Sequence, residues 1–126
     1  MKVKMILPAL TEAKSPFWRP IKYSLFPPLG LATLAAYLDQ DDEISIVDEH
    51  VETLNTDDEP DMVVIQVYIT SAYRAYEIAD QYRARGVYVC LGGLHVTSSI
   101  KYRVFIAVRY YMVITRKWKR AICENI

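Results

Sequence analysis

The sequence predicts a doubly wound α/β fold, in which a parallel sheet lies between helices on both of its faces. Two observations lead to this prediction. Short apolar runs rich in β-branched residues alternate along the chain with segments of helical periodicity. The helical segments separate pairs of these runs, which is the arrangement of right-handed crossover units in a three-layer α/β/α domain. The predicted strands are Val3–Leu7, Ile44–Val47, Met62–Val67 and Val87–Leu91, and the predicted helices are Leu29–Leu38 and Ala72–Arg85.

Both helices have recognisable ends. Pro28 precedes the first helix, at a position where its missing N–H costs nothing. This helix is apolar almost all round, so we expect it to be largely buried against the sheet. Thr70 and Ser71 offer a side-chain N-cap for the second helix, and Gly86 is a natural C-terminal stop for it.

Doubly wound folds bind ligands at the carboxyl ends of their strands. The predicted loops 8–28, 68–72 and 92–97 all fall on that edge of the sheet. The first loop is long, which is typical of functional or mobile segments. It contains prolines in place of glycines, which argues against a cradle for a pyrophosphate. The sequence therefore predicts a ligand site at this edge that is not a pyrophosphate-binding loop.

The charge balance divides the chain in two. The 126 residues include 15 basic and 15 acidic side chains, but residues 1–100 have a net charge of −6 and residues 101–126 one of +6. The alternation of strand-like and helix-like segments also stops near Ser98. We therefore predict an α/β domain over residues 1–98 and an atypical basic tail over residues 99–126 that completes or extends the sheet. Within the tail, Tyr102–Ile114 has the composition of a strand or hairpin.

Several classes of function are disfavoured. A net charge of zero predicts no general attraction to nucleic acid or anionic membrane, and the basic cluster Arg116–Arg120 is more typical of a solvated chain end. No apolar run approaches the roughly 18 residues of a membrane span. The two cysteines, Cys90 and Cys123, are too few for a disulfide framework or an iron–sulfur cluster and favour a reducing, cytoplasmic location.

A few polar or flexible positions are candidates for a site. Gly92 and Gly93 follow a predicted buried strand and allow a close backbone approach to a ligand, although taken alone they are more typical of an ordinary strand-to-loop turn. His95 is either a ligand-binding group or a polar side chain satisfied by its own loop. Cys90, inside a strand, is interpreted as a small buried hydrophobe. A zinc site formed by His50, His95 and a carboxylate is formally conceivable, but no pair has ligand spacing.

Three segments resemble the amino-terminal cobalamin-binding domain of radical S-adenosylmethionine enzymes, the group that includes the anaerobic magnesium-protoporphyrin monomethyl ester cyclase type. Residues 26–38, FPPLGLATLAAYL, are similar to the entry into the family's first helix. Residues 46–50 and 60–65, IVDEH and PDMVVI, are similar to its second and third strands. Residues 91–97, LGGLHVT, are similar to its Gly-Gly-x-His-x-Thr/Ser loop. The resemblance covers about residues 1–98.

This resemblance implies a Rossmann-like domain that holds cobalamin over the carboxyl ends of its strands, without catalysis of its own. The 4Fe-4S cluster and S-adenosylmethionine would belong to a radical S-adenosylmethionine domain of a longer parent enzyme, of the methyltransferase or cyclase type. The implied cofactor-binding residues are Leu10, Thr11, Thr70, Ser71, Gly92, Gly93, His95 and Thr97.

Two features depart from the family pattern. Asp48-Glu49-His50 resembles the start of an Asp-x-His-x-x-Gly signature that supplies a histidine to cobalt, but position 53 is threonine and the triplet follows the second strand. We interpret it as a solvated strand end and expect no protein metal ligand. Residues 99–126 lack the family's next helix and its Gly-Glu-Gly-Glu strand, so we expect a truncated product, with a shifted reading frame as one cause.

Two other interpretations stay open. One is a cofactor-free flavodoxin-like interaction module; its response-regulator version is disfavoured, since Pro8-Ala9-Leu10 and Tyr68-Ile69-Thr70 stand where acidic residues are needed. The other is a nucleic-acid binder, which depends on the basic tail alone. The sequence does not decide between a monomer and a homo-oligomer.

Overall fold

The computed structural model describes residues 1–10, 28–98 and 110–112, with residues 97–98 and 110–112 as backbone only. Strands and helices alternate along the chain except that the third strand follows the second directly, and a short 3₁₀ turn precedes the second helix. The strands are β1 Lys2–Leu7, β2 Glu43–Asp48, β3 Met62–Gln66, β4 Tyr88–Gly92 and β5 Tyr110–Met112. The helices are α1 Leu29–Ala35, α2 Ala72–Ala84 and α3 Leu94–Ser98, and the 3₁₀ turn is Ile69–Ser71.

The five strands form one parallel sheet in the order β2-β1-β3-β4-β5. The chain adds β2 on one side of β1 and then β3, β4 and β5 on the other. This order confirms the predicted doubly wound α/β fold. It also creates a switch point between β1 and β3, where the direction of strand addition reverses and where such folds bind ligands.

Two hydrophobic cores cover the two faces of the sheet, because successive residues of a strand point to opposite faces. The core beneath α1 contains Val3, Met5, Leu7, Leu31, Met62, Val64 and Cys90. The core beneath α2 contains Ile6, Val63, Ile65, Val67, Ala72, Ala75, Ile78, Ala79, Tyr82, Val89 and Leu91. The layers are therefore helix, sheet and helix. Cys90 is 5% exposed, which confirms its interpretation as a buried apolar residue.

The prediction that the first helix is largely buried was wrong. Helix α1 ends at Ala35, three residues earlier than predicted, and Leu31 is its one buried residue. Leu34, Ala35 and Leu38 pack partly against the core, whereas Leu29 is 66% exposed. The reason is geometric: only the face with i, i+3 and i+4 spacing from Leu31 meets the sheet, and the apolar residues of the opposite face stay outside.

The buried face of α2 and its C-terminal stop at Gly86 are as predicted. Ala75, Ile78, Ala79 and Tyr82 are all completely buried, and Gly86 adopts a φ of +80° just after the helix. The expected side-chain cap is absent. Ser71 is the N-cap residue of α2, but it makes no capping bond to the helix. Its Oγ instead accepts a hydrogen bond from the backbone N–H of Tyr68 at 3.3 Å, which closes the preceding turn.

The segment after β4 differs from the predicted loop. Residues 94–98 form the short helix α3, so the loop at this edge is reduced to Gly93. In the predicted strand or hairpin at 102–114, residues 110–112 form β5 and pair with residues 89–91 of β4. The rest of the tail, including Arg116–Arg120, lies outside the described residues. Across the described ranges, no helix combines the length and apolar character required to cross a membrane.

Candidate functional site

The carboxyl ends of β1, β3 and β4 meet at one edge of the sheet, together with the first turn of α1. Between α1 and this edge the structure has a cleft with a volume of about 130 Å³. Its lining is almost wholly apolar, because α1 contributes a face of leucine and glycine and the strands contribute aliphatic residues. The lining residues are Gly30, Leu31, Leu34, Val64, Ile65, Gln66, Gly92 and Gly93.

Gln66, the last residue of β3, is the one polar side chain among the described residues that line this cleft. Its Nε2 donates a hydrogen bond to the Tyr68 hydroxyl at 2.6 Å. A Cβ built on Gly30 would lie 3.4 Å from Nε2 and 3.5 Å from Oε1 of the same amide. The glycine of the Pro-Pro-Leu-Gly-Leu motif therefore leaves room for the Gln66 amide beneath the first turn of α1.

Gly93 brings the loops after β3 and β4 into direct backbone contact. Its φ is +123°, and a Cβ there would lie 2.5 Å from the carbonyl oxygen of Val67. The Val67 N–H in turn donates to the Gly92 carbonyl at 2.7 Å. Only glycine fits this position without displacing backbone, so the fold itself requires Gly93. The expected close approach is present, and its partner is the protein's own chain.

Exposed apolar side chains lie on the loops and helix ends of the same edge. They come from the loop after β1, the start of α1, the turn after β3, the first turn of α2 and the start of α3. Their exposed fractions are large for apolar residues: Leu10 46%, Leu29 66%, Tyr68 46%, Ile69 71%, Tyr73 85% and Leu94 69%. We call Leu10, Leu29, Tyr68, Ile69 and Leu94 the apolar rim. Clustered exposed apolar surface of this kind marks a binding surface more often than a bare solvent face.

The residues predicted to bind a cofactor occupy different environments at this edge. Leu10 and Thr70 are exposed there, and Gly92 and Gly93 line the cleft. Ser71 is fully buried, so its hydroxyl serves the turn in which it lies. His95 is half-buried, with its ring centroid 6.1 Å from that of Tyr76 on α2.

Two of the predicted residues cannot be compared with the structure in full. Thr97 lies in α3, of which only the backbone is described at that position. Thr11 lies outside the described residues.

The interpretation of Asp48-Glu49-His50 as a solvated strand end was wrong. Asp48 is 6% exposed and Glu49 is 8% exposed. Glu49 accepts hydrogen bonds from Arg74 Nη2 at 2.6 Å and from the Ala9 N–H at 3.0 Å. Burial of a carboxylate is tolerable when it is ion-paired and hydrogen-bonded, and both conditions hold here. This ion pair fixes the loop after β1 against β2 and α2.

Arg74 was not identified from the sequence, because a lone arginine on an amphipathic helix resembles a solvated residue. It donates to Glu49 through Nε and Nη2 and to Glu77 through Nη1 at 2.8 Å. The hydrogen bonds to Glu49 raise the pKa of the Arg74 guanidinium, so this side chain is permanently charged. The residues around Arg74 do not indicate a partner 25 positions away in the sequence.

Asp48 and His50 form a second polar contact at the end of β2. The Nδ1 atom of His50 lies 2.7 Å from Oδ1 of Asp48, and the His50 N–H donates to the same oxygen at 2.9 Å. In the described part of the chain, no three residues of the histidine, cysteine or carboxylate type are grouped as metal ligands. The zinc site of His50 and His95 therefore finds no support among these residues.

Comparison with curated proteins identifies two relatives of this chain. Over 70 residues it is 43% identical to the bacteriochlorophyllide d C-8(2)-methyltransferase of Chlorobaculum tepidum, covering 55% of this chain and 16% of that protein. Over 107 residues it is 34% identical to an uncharacterised methyltransferase of Pyrococcus horikoshii, covering 77% of this chain and 23% of that one. Both relatives are methyltransferases.

These matches cover less than a quarter of either relative's length. No family model matches the chain. No solved structure matches it significantly either. The comparisons therefore relate the chain to one part of longer methyltransferases.

Proposed function

We propose that this chain is a cobalamin-binding domain that belongs to a methyltransferase-type enzyme and has no catalysis of its own. The main support is the carboxyl edge of the sheet, which carries both the apolar rim and a cleft whose described lining contains one polar side chain, Gln66. The relation to two methyltransferases supports the same class of parent enzyme. The residues proposed to contact the cofactor are Leu10, Thr11, Thr70, Gly92, Gly93, His95 and Thr97. Ser71 is buried, so its proposed role is to close the turn that carries Thr70.

The chemistry of this edge is compatible with a corrinoid. A corrin ring has a large apolar face and neutral carboxamide groups around its periphery. The apolar rim offers aliphatic and aromatic contact surface, and the cleft below it is lined by aliphatic residues and the Gln66 amide. Apolar contact area with a few placed polar groups is the usual composition of cofactor sites.

The proposal assigns the reactive chemistry to the cofactor and to other domains. Cobalamin supplies a carrier for a methyl group, and the protein supplies binding and orientation. The 4Fe-4S cluster and S-adenosylmethionine would be held by the radical S-adenosylmethionine domain of a longer parent. The matched segments make up only 16% and 23% of the two relatives, so a parent of similar length has room for such a domain.

Binding of hydroxocobalamin to the purified chain tests the proposal. After desalting, we expect the visible corrin absorbance to remain with the protein. Ile69→Asp and Leu94→Asp each place a charge in the apolar rim, and we expect about tenfold weaker binding from each, since burial of one such side chain is worth roughly 1.5–3 kcal/mol. Binding is measured by titration of the visible spectrum.

Tyr37→Asp is the matched control. Tyr37 is 53% exposed and follows the other end of α1, at the opposite edge of the sheet. This variant should bind like the wild type, with an unchanged far-ultraviolet circular dichroism spectrum. Complete loss of corrin absorbance from the wild type on desalting would contradict the proposal and favour the cofactor-free interaction module.

A further inference from the structure

The cleft between α1 and the sheet is lined by a side chain with a buried hydrogen-bond acceptor. The Oε1 atom of Gln66 is buried and has no hydrogen-bond partner among the residues that the structure describes. The other end of the same amide is fixed, because Nε2 donates to the Tyr68 hydroxyl at 2.6 Å. A buried acceptor without a partner costs free energy, and native proteins retain few of them.

The surroundings of Gln66 hold its amide in place. Gly30 of α1 lies directly against it, with the ideal Cβ position only 3.4–3.5 Å from both polar atoms of the amide. Leu31, Leu34 and Val64 form apolar walls around it. The acceptor is therefore held in place and desolvated, in a side chain that lines the cleft.

We propose that Gln66 Oε1 accepts a hydrogen bond from a primary carboxamide of the ligand, which enters the cleft between α1 and the carboxyl ends of β3 and β4. A carboxamide has the required N–H donor, and it is neutral, which suits a cleft that has no charged side chain among its described lining residues. The volume of about 130 Å³ suits a short amide-bearing side chain. This inference rests on the proposed function, because the carboxamides in question are those on the periphery of cobalamin.

Gln66→Met tests the role of the acceptor with two measurements of opposite sign. Methionine is close to glutamine in shape and removes both the unpaired oxygen and the hydrogen bond from Nε2 to Tyr68. Because the buried oxygen costs more than that exposed hydrogen bond contributes, the ligand-free protein should melt about 3–6 °C higher. The same variant should bind hydroxocobalamin about 3- to 10-fold more weakly, because one hydrogen bond to the ligand is lost. A residue with a purely structural role would not raise stability and lower affinity together.

Two further variants separate the effect of Gln66 Oε1 from that of the Tyr68 hydroxyl and from that of the substitution itself. Gln81→Met makes the same substitution at an exposed position of α2 and should change neither the melting temperature nor the affinity. Tyr68→Phe removes the hydrogen bond to Nε2 and keeps Oε1, so its loss of affinity should be smaller than that of Gln66→Met. An equal loss would assign the effect to the Tyr68 hydroxyl and overturn the proposal.

Cobalamin monocarboxylic acids, in each of which one peripheral propionamide is hydrolysed, test the ligand side of the bond. One isomer should bind the wild type at least about tenfold more weakly than hydroxocobalamin, and this loss should shrink in Gln66→Met. Unchanged affinity of Gln66→Met for hydroxocobalamin, or the same loss for every isomer in both proteins, would overturn the inference and leave the proposed function standing. Failure of the wild type to bind hydroxocobalamin would overturn both.

Discussion

At the scale of single residues, Gly86 and Gly93 both have a positive φ, but glycine is favoured at the two positions for different physical reasons. Gly86 ends α2 at a φ of +80°, and nothing lies within 4 Å of its ideal Cβ position. Gly93 has both a positive φ and a backbone oxygen 2.5 Å from that position. The sequence predicted a close approach at Gly92 and Gly93, but it could not indicate that Val67, rather than a ligand, is what Gly93 approaches.

Replacement of each glycine by alanine measures this difference. Gly86→Ala should cost about 1 kcal/mol, the usual penalty for a side chain in this backbone conformation. Gly93→Ala should cost about 2–4 kcal/mol, because the loops after β3 and β4 must also separate. Urea unfolding followed by circular dichroism gives both values. Equal costs at the two positions would contradict the contact between Gly93 and Val67.

At the scale of elements, the ends of strands and helices depend on partners that are distant in the sequence. Glu49 at the end of β2 is tied to Ala9 after β1 and to Arg74 on α2. Three polar residues at the end of a strand are typical of a solvated strand end. That local pattern does not indicate an ion pair with Arg74 of α2. Local composition was also misleading for α1. Its many apolar residues predicted a largely buried helix, but only one of its faces contacts the sheet.

Loss of the Arg74 side chain tests the Glu49 ion pair. Arg74→Ala should destabilise the protein by about 2–4 kcal/mol, because the buried Glu49 carboxylate then has no cation. Partial exposure of the guanidinium (29% of the side chain) keeps the cost below that of a fully buried pair. The Ala9 amide should also exchange its hydrogen faster, as its acceptor is no longer held in place.

Arg83→Ala is the control on the same helix. Arg83 pairs with Asp80 at 3.4 Å, and both side chains are well exposed, so its removal should change the stability by no more than about 0.5 kcal/mol. Urea unfolding and hydrogen exchange apply to both variants. Equal effects of the two arginine substitutions would show that the Glu49 ion pair adds nothing specific.

At the scale of the whole molecule, one polar cluster joins the sheet, a loop and a helix. Lys4 in β1 is 5% exposed, and its Nζ contacts Asp58 Oδ2 at 2.6 Å. The Tyr82 hydroxyl of α2 donates to the other oxygen of Asp58 at 2.7 Å. Burial alone would raise the pKa of Asp58, but the hydrogen bonds from Lys4 and Tyr82 and the charge of Lys4 bring it below its usual value of 3.8.

This cluster predicts a specific dependence of stability on pH. A carboxyl group whose folded pKa is lowered adds stability above its unfolded pKa, and that contribution is lost as the pH falls through the folded value. Asp58→Asn should therefore cost about 1–2 kcal/mol at pH 7 and progressively less below about pH 4. Thermal melting of both proteins across this pH range measures the difference.

Asp57→Asn, at the exposed neighbouring position, serves as the comparison and should have little effect at either pH. A difference between wild type and Asp58→Asn that stays constant down to pH 2.5 would contradict the assignment of this stability to the ionised carboxylate.

The sequence by itself determined the α/β class, the approximate positions of four strands and the buried face of α2. It could do so because strand and helix periodicity are local properties of the chain. It also predicted the edge of the sheet at which a site would lie, since parallel strands place their carboxyl ends together.

The tertiary structure alone decided the order of the strands, the exposure of α1 and the burial of Asp48 and Glu49. It also brought Gln66 under Gly30 and Gly93 against Val67. These features are contacts between segments far apart in the chain, and their free energies depend on which groups meet, so no local pattern of residues encodes them.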